Sequence, residues 1–177
     1  FGSFDYDLNE RWTLTVGGRY TYEDKENSLA ASEIAVATVS PVPASDGDSW
    51  NEFTPKVTLT YNLDNGIIYG TFASGFKSGG YNHPLRVGAV IEPETIDMIE
   101  IGYKADLTDS VRLTSAFFAY SYDDLQVTKA ASGGGTVTTE NATDSDIMGL
   151  DVDLTWAATE KLTLRFNGEY LDTEYKD

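Results

Sequence analysis

The sequence predicts an all-β fold, an up-and-down antiparallel meander of about eight long strands that crosses a membrane as part of a β-barrel. Three observations predict it. Apolar and polar residues alternate with period two through five segments, the connections alternate between short and long, and aromatic residues gather near both ends of the strands. Successive side chains of a strand point to opposite faces, so period two means one apolar and one polar face.

In chain order, Phe4, Tyr6 and Leu8 mark a first strand. In the second, Trp12, Leu14, Val16, Tyr20 and Tyr22 oppose Thr13, Thr15, Arg19, Thr21 and Glu23. Phe53, Val57, Leu59, Tyr61 and Leu63 then oppose Thr54, Lys56, Thr58 and Thr60. Residues 67–77 and 111–127 are apolar on both sides in places, and a bulge is expected near Ser115–Phe118. Between them, Ile99, Ile101, Tyr103, Ala105 and Leu107 oppose Glu100, Lys104 and Asp106. Met148, Leu150, Val152, Leu154 and Trp156 oppose Asp151, Asp153 and Thr155; Leu162, Leu164, Phe166 and Tyr170 oppose Thr163, Arg165, Asn167 and Glu169. In all five regular segments the charges keep to one side. A Lys or Arg facing lipid at mid-depth costs roughly 2–4 kcal/mol, which selects for such segregation.

Short turns fall at Asn9–Arg11, Asp64–Gly66, Thr108–Ser110 and Ala158–Lys161, and long connections at about 24–49, 78–93 and 129–141. Followed along a meander, all short turns lie at one end and all long loops at the other, as in outer-membrane barrels with short periplasmic turns and long extracellular loops. Asn65-Gly66 signals a hairpin because both residues accept positive φ. Tyr6, Trp12, Tyr61, Tyr69 and Trp156 sit toward the short turns; Tyr20, Tyr22, Trp50, Phe53, Phe76, Tyr81, Tyr120, Tyr122 and Tyr170 sit toward the long loops. The expectation is two interfacial aromatic girdles. YDLNERWTLTV, YNLDNGIIYGTF, ADLTDSVRLTS and WAATEKLTLRF form a loose internal repeat at these turns.

Composition narrows the function classes. A net charge of -17 opposes nucleic-acid binding, which needs basic residues against phosphate, and opposes a basic surface helix. No run reaches the ~18 apolar residues of a membrane helix, but a barrel strand needs only ~10 of alternating character. With no Cys and a single histidine, His83, neither a thiolate nor a multi-His metal site is expected. The chain starts at Phe1 and is expected to be the middle of something longer.

Five stretches, in order, resemble the barrel domain of TonB-dependent receptors of the ferric-siderophore type. They are WNEFTPK at 50–56, YGTFASGFKSGGYN at 69–82, PETIDMIEIGYKADL at 93–107, FFAYSYDDLQV at 117–127 and ENATDSDIMGLDVDLTW at 140–156. The resemblance implies an outer-membrane receptor of a Gram-negative bacterium for energy-coupled uptake of a scarce nutrient. A ferric siderophore is the expected ligand, with haem, cobalamin and oligosaccharide also open. It implies as partners the outer-membrane lipid, the remainder of an about 22-stranded barrel, a plug domain, and the TonB complex acting through that plug. Residues 1–177 are expected to be a partial barrel domain without plug, energy-coupling box or closing C-terminal strand, and so not to transport alone.

Candidate site residues follow. Tyr81, Asn82, His83 and Arg86 share a predicted extracellular loop and are candidates for substrate contact; the blander reading is a solvated loop beside Pro84. Glu100, Lys104, Asp151, Asp153, Arg165 and Glu169 are expected to form a charge network facing the lumen, against separately hydrated charges. Phe76 and Lys77 in GFKSGG read as an architectural strand exit among glycines. Asp123-Asp124 and the Asp144/Asp146 pair fit no calcium loop and read as rim carboxylates. Gly133-Gly134-Gly135 lacks the Lys-Ser/Thr and helix of a phosphate loop. No catalytic triad can be assembled, so no enzyme, cofactor or metal is expected. Two other readings stay open. A small closed eight-stranded barrel with a structural or adhesive role requires the first strand to pair with the last. A soluble sandwich binding module requires a second layer over the apolar face.

Overall fold

A computed structural model describes residues 1–28, 45–82, 90–130 and 137–176. Its strands are β1 (Gly2–Asp7), β2 (Trp12–Ser28), β3 (Ser45–Leu63), β4 (Gly66–Lys77), β5 (Gly80–Tyr81), β6 (Val90–Ile91), β7 (Glu94–Thr108), β8 (Val111–Asp123), β9 (Gln126–Ala130), β10 (Val137–Asn141), β11 (Ser145–Thr159) and β12 (Leu162–Tyr175). Eight of them form one antiparallel sheet in the order β1-β2-β3-β4-β7-β8-β11-β12. Two short pairs, β5-β6 and β9-β10, stand at its long-loop end.

The register aligns the apolar faces into one surface. Leu14 lies opposite Leu59, and Val16 opposite Val57. Val57 lies opposite Phe72, Phe72 opposite Ile99, and Ile101 opposite Phe117. Phe117 faces Leu150, and Trp156 faces Leu164. A one-residue slip anywhere would turn a strand inside out, so each alternating pattern enforces its neighbour's register. This outer face is bare: Phe53 is 57% exposed, Ile101 60% and Phe166 62%. No second layer of the kind the sandwich reading requires covers it among the described residues. The sheet ends in two edges, β1 and β12, with no pairing between them among the described residues, so the small closed barrel is not formed either.

The outer-face apolar band runs from Trp12 to Tyr22 on β2, Phe53 to Tyr61 on β3, Ile99 to Leu107 on β7 and Met148 to Trp156 on β11. These are stretches of ~9–11 residues, the length a tilted strand needs to cross a bilayer. Above the band the same face turns polar, with Asp24, Ser74, Asp97, Ser121 and Asp146.

The structure corrects several local expectations. The long connection at 24–49 begins and ends as strand, because β2 and β3 stay paired out to Ser28 and Ser45. The segment 111–127 is two strands, broken at Asp124, the one non-glycine residue with positive φ (55°) among those described. Pairing through Ser115–Phe118 is continuous on both sides; the irregularities fall instead at Asp106/Thr108 and Ala157/Thr159, beside the short turns. Parity also thins the girdles. Tyr69, Tyr120, Tyr122 and Trp50 share the polar face, while Trp12 and Tyr61 pack ring to ring at 4.8 Å on the outer one.

The Asn65-Gly66 hairpin forms as expected, for a different reason. Asp64 and Asn65 make the turn without positive φ, and Gly66 has none in the left-handed range. Glycine is needed there because a Cβ would overlap the Lys104 carbonyl oxygen and the Ala105 backbone of β7. Gly66→Val is therefore expected to cost about 1–3 kcal/mol by overpacking, read as a lowered urea midpoint; an unchanged midpoint would show that the contact relaxes freely.

In the main sheet, Gly18 lies beneath Phe53, Gly102 beneath Tyr69, and Gly149 beneath Phe118. The ring restores to the glycine position the apolar contact that it lacks, a device for holding a sheet at a side-chain-free site.

Candidate functional site

The polar face of the sheet, the lumen side of a barrel, carries the six charged candidate residues. Parity on β7, β11 and β12 puts Glu100, Lys104, Asp151, Asp153, Arg165 and Glu169 on it together. No direct ion pair joins any two of the six among the described residues. Their links run through neutral neighbours. The Tyr69 hydroxyl donates to Glu100 Oε1 at 2.7 Å, and the Lys104 ammonium lies 5.2 Å from the centre of the same ring. Asn167 donates its amide to Asp153. Asp151 faces Glu169 directly across β11 and β12, and like charges in that position repel. Beside them Phe118, buried at 7% exposure, stacks on Tyr120 at 5.0 Å. Glu100, Tyr120, Tyr122, Asp151 and Glu169 border a concavity of about 410 Å³, acidic with an aromatic wall.

At the long-loop end the lumen face builds a second, denser cluster. The Lys25 ammonium donates to Ser78 Oγ and to the Gly79 carbonyl at 2.8 Å, and pairs with Glu23 at 3.1 Å. Ser78 donates onward to Glu23 at 2.6 Å. These two contacts, the Ser78 hydroxyl first and the Lys25 ammonium second, hold the Glu23 carboxyl below its usual range. Lys25 also sits 5.6 Å over the Trp50 ring, a cation–π contact. Trp50 is 8% exposed and meets Tyr81 edge to face at 6.2 Å. The segment after β4 is thereby tied to the β2–β3 hairpin. Glu23, Lys25, Phe76, Lys77, Ser78 and Tyr81 border an open cleft of about 540 Å³.

Of the predicted loop residues, Tyr81 packs against Trp50 and lines this cleft. Asn82 makes a two-way amide bridge to β10, donating to the Thr139 carbonyl and accepting from the Thr139 N–H, both at 2.7 Å. His83 and Arg86 lie outside the described residues. Asn141 makes the matching bridge to Glu92, accepting from its N–H at 2.8 Å and donating to its carbonyl at 2.9 Å. Two side-chain amides thus do what strand pairing would do between the β9–β10 hairpin and the β5–β6 segment. Gln126 adds bonds to the Ser78 and Glu92 carbonyls. Sequence reading missed Lys25, Trp50, Asn141 and Gln126 as site builders. For Trp50 the signal was present, since its parity with Glu52 and Lys56 puts it on the polar side. For the two amides no local signal exists.

Comparison with known proteins agrees with this architecture. The curated "Probable TonB-dependent siderophore receptor PiuA" of Acinetobacter baumannii is 26% identical over 179 residues, spanning 95% of this chain and 22% of the relative. The ferric yersiniabactin uptake receptor FyuA of Yersinia pestis superposes with a TM-score of 0.75 at 21% identity, over 98% of this chain and 26% of that one. The siderophore receptor PiuA from Acinetobacter baumannii does so with 0.71 at 23%, over 97% and 24%. The copper transporter OprC reaches 0.78 at 15%, over 98% and 28%, so the shared fold does not select a substrate. The chain spans about a quarter of the length of these relatives. A family model described as TonB dependent receptor-like, beta-barrel, matches residues 1–177 from end to end, and on that match, with the two-faced meander beneath it, the chain belongs to the TonB-dependent receptor β-barrel family.

Proposed function

We propose that this chain is part of the barrel wall of an outer-membrane receptor of a Gram-negative bacterium that takes up a ferric siderophore. The observation that carries the reading is the division of the sheet, with a bare apolar face on one side and the charged cleft and concavity on the other. Membership of the family and the siderophore receptors among its relatives support the ligand class. In this reading the remaining strands close the barrel, a plug domain fills it, and the TonB complex acts on that plug to release ligand inward. The acidic concavity below and the Lys25–Glu23 cluster above lie along the path, and Tyr81, Asn82, His83 and Arg86 contact ligand at the mouth. Bulk lipid covers the apolar band.

Uptake of iron-loaded siderophores by cells carrying or lacking the full-length receptor tests this. Uptake is expected to need both the receptor and TonB, and to fall when Tyr81, His83 and Arg86 are replaced together by Ala. Iron uptake that is indifferent to the receptor, with copper or another solute depending on it instead, would overturn the siderophore assignment.

A further inference from the structure

The two short pairs at the long-loop end, β5–β6 and β9–β10, are separate two-stranded sheets, and no ladder joins them among the described residues. Yet they build one cleft. Tyr81 and Ile91 of the first pair border the same space of about 540 Å³ as Gln126, Thr128 and Thr139 of the second. A reciprocal pair of amides holds these walls together. Asn82, after β5, sends its side chain to the backbone of Thr139 on β10. Asn141, at the end of β10, sends its own to the backbone of Glu92 after β6. Each carboxamide donates and accepts at once, as a neighbouring peptide group would, and the four bonds are 2.7–2.9 Å long. Gln126 adds a third tie, its amide donating to the Ser78 carbonyl at 3.1 Å and to the Glu92 carbonyl at 2.9 Å. Asn141 itself does not border the cleft.

We propose that Asn141 is a positioning residue for ligand capture. Together with Asn82 it clasps the β5–β6 and β9–β10 pairs into one unit that opens as a whole, and so sets the spacing of the cleft walls. It acts on ligand through Tyr81 and Thr139, which the clasp places on opposite sides of the cleft. Unclasped walls must be brought together at the expense of binding free energy, so the clasp raises affinity by pre-organisation. Steps after capture are spared, because the main sheet below is held by its own ladders. The positioning role rests on the uptake reading above; the clasp does not.

The Thr139 and Glu92 amide protons are the reporters, since each is bonded to a side chain of the other segment. Their hydrogen exchange is measured in the full-length receptor, unaltered and with Asn82→Ala or Asn141→Ala. Asn82→Ala frees Thr139 directly and is expected to speed Glu92 as well, roughly tenfold, the scale of two neutral hydrogen bonds. Asn141→Ala should do the reverse. Lys129→Ala removes the 3.2 Å contact to Glu140 inside β9–β10 without touching the clasp, and should leave Glu92 unchanged. Uptake by cells is followed in parallel with three iron probes: ferric citrate, a ferric trihydroxamate and a ferric triscatecholate. For a probe that enters, Asn141→Ala is expected to raise the half-saturating concentration roughly tenfold and leave the maximal rate unchanged. If Thr139 and Glu92 each answer only to the side chain bonded to it, the unit is overturned. A half-saturating concentration that stays put overturns the positioning role. A receptor that admits none of the probes counts against the siderophore reading, and the exchange result then decides the clasp alone.

Discussion

Val57→Arg is expected to destabilise the bilayer-inserted full-length receptor by about 2–4 kcal/mol, while Thr60→Arg, three residues along the same strand, changes it far less. The two positions are close in sequence and opposite in facing. Val57 stands in the middle of the outer band, flanked by Val16 and Phe72. Thr60 is on the lumen side, between Thr13 and Tyr69. A guanidinium facing hydrocarbon cannot be hydrated without dragging water or headgroups inward, whereas a lumen position is wet already. The cost should also depend on depth. Tyr61→Arg, at the lower edge of the band beside Trp12, is expected to cost only about 0–1 kcal/mol because the side chain can reach the interface. Urea-dependent folding of the three variants into vesicles measures all of this. Equal costs on the two faces would mean that lipid does not cover the outer one.

A second large effect is expected at Trp50. Its ring is buried between Tyr81, Lys25 and Gly79, where a Cβ on the glycine would meet the indole. Truncation to Ala removes a large buried aromatic, a loss of about 3–5 kcal/mol. That loss should appear locally, because the ring ties residues 78–81 to the hairpin, whereas the sheet lower down is held by its own pairing. Hydrogen exchange at Gly79 and Tyr81 is expected to accelerate strongly in Trp50→Ala, and only modestly in Trp50→Phe. Protection lower in β3 and β4 should be unchanged. If exchange accelerates uniformly along β3 and β4, the mouth is not a separable unit.

These two sites show what could be read from the sequence. Alternation fixed the strands and their facing wherever one side is greasy and the other wet, as at Leu14, Val57 and Ile101. The same signal vanishes above the bilayer. From Asp24 to Glu26 and from Gly47 to Ser49 neither face is apolar, so nothing in the residue pattern distinguishes paired strand from loop. Position along a strand suggested girdle roles for Tyr69, Tyr120 and Trp50, but parity decides facing, and parity sends them to the lumen. At the mouth the limit is different. Asn82 meets Thr139 and Lys25 meets Ser78 across more than 50 residues of chain, and no local pattern encodes such meetings. Tyr81 and Asn82 were legible as members of the mouth; the partners that fix them were not.

The rings over Gly18 and Gly102 make each of those positions half of a two-residue unit. A methyl group acquired by the glycine evicts the ring, and a ring lost opposite leaves a furrow that the glycine cannot fill. Among descendants of this sequence, the members of each duo should therefore change in concert. A larger residue replacing Gly102 should arrive with a smaller one replacing Tyr69, and the single exchanges should each be less fit than the joint one.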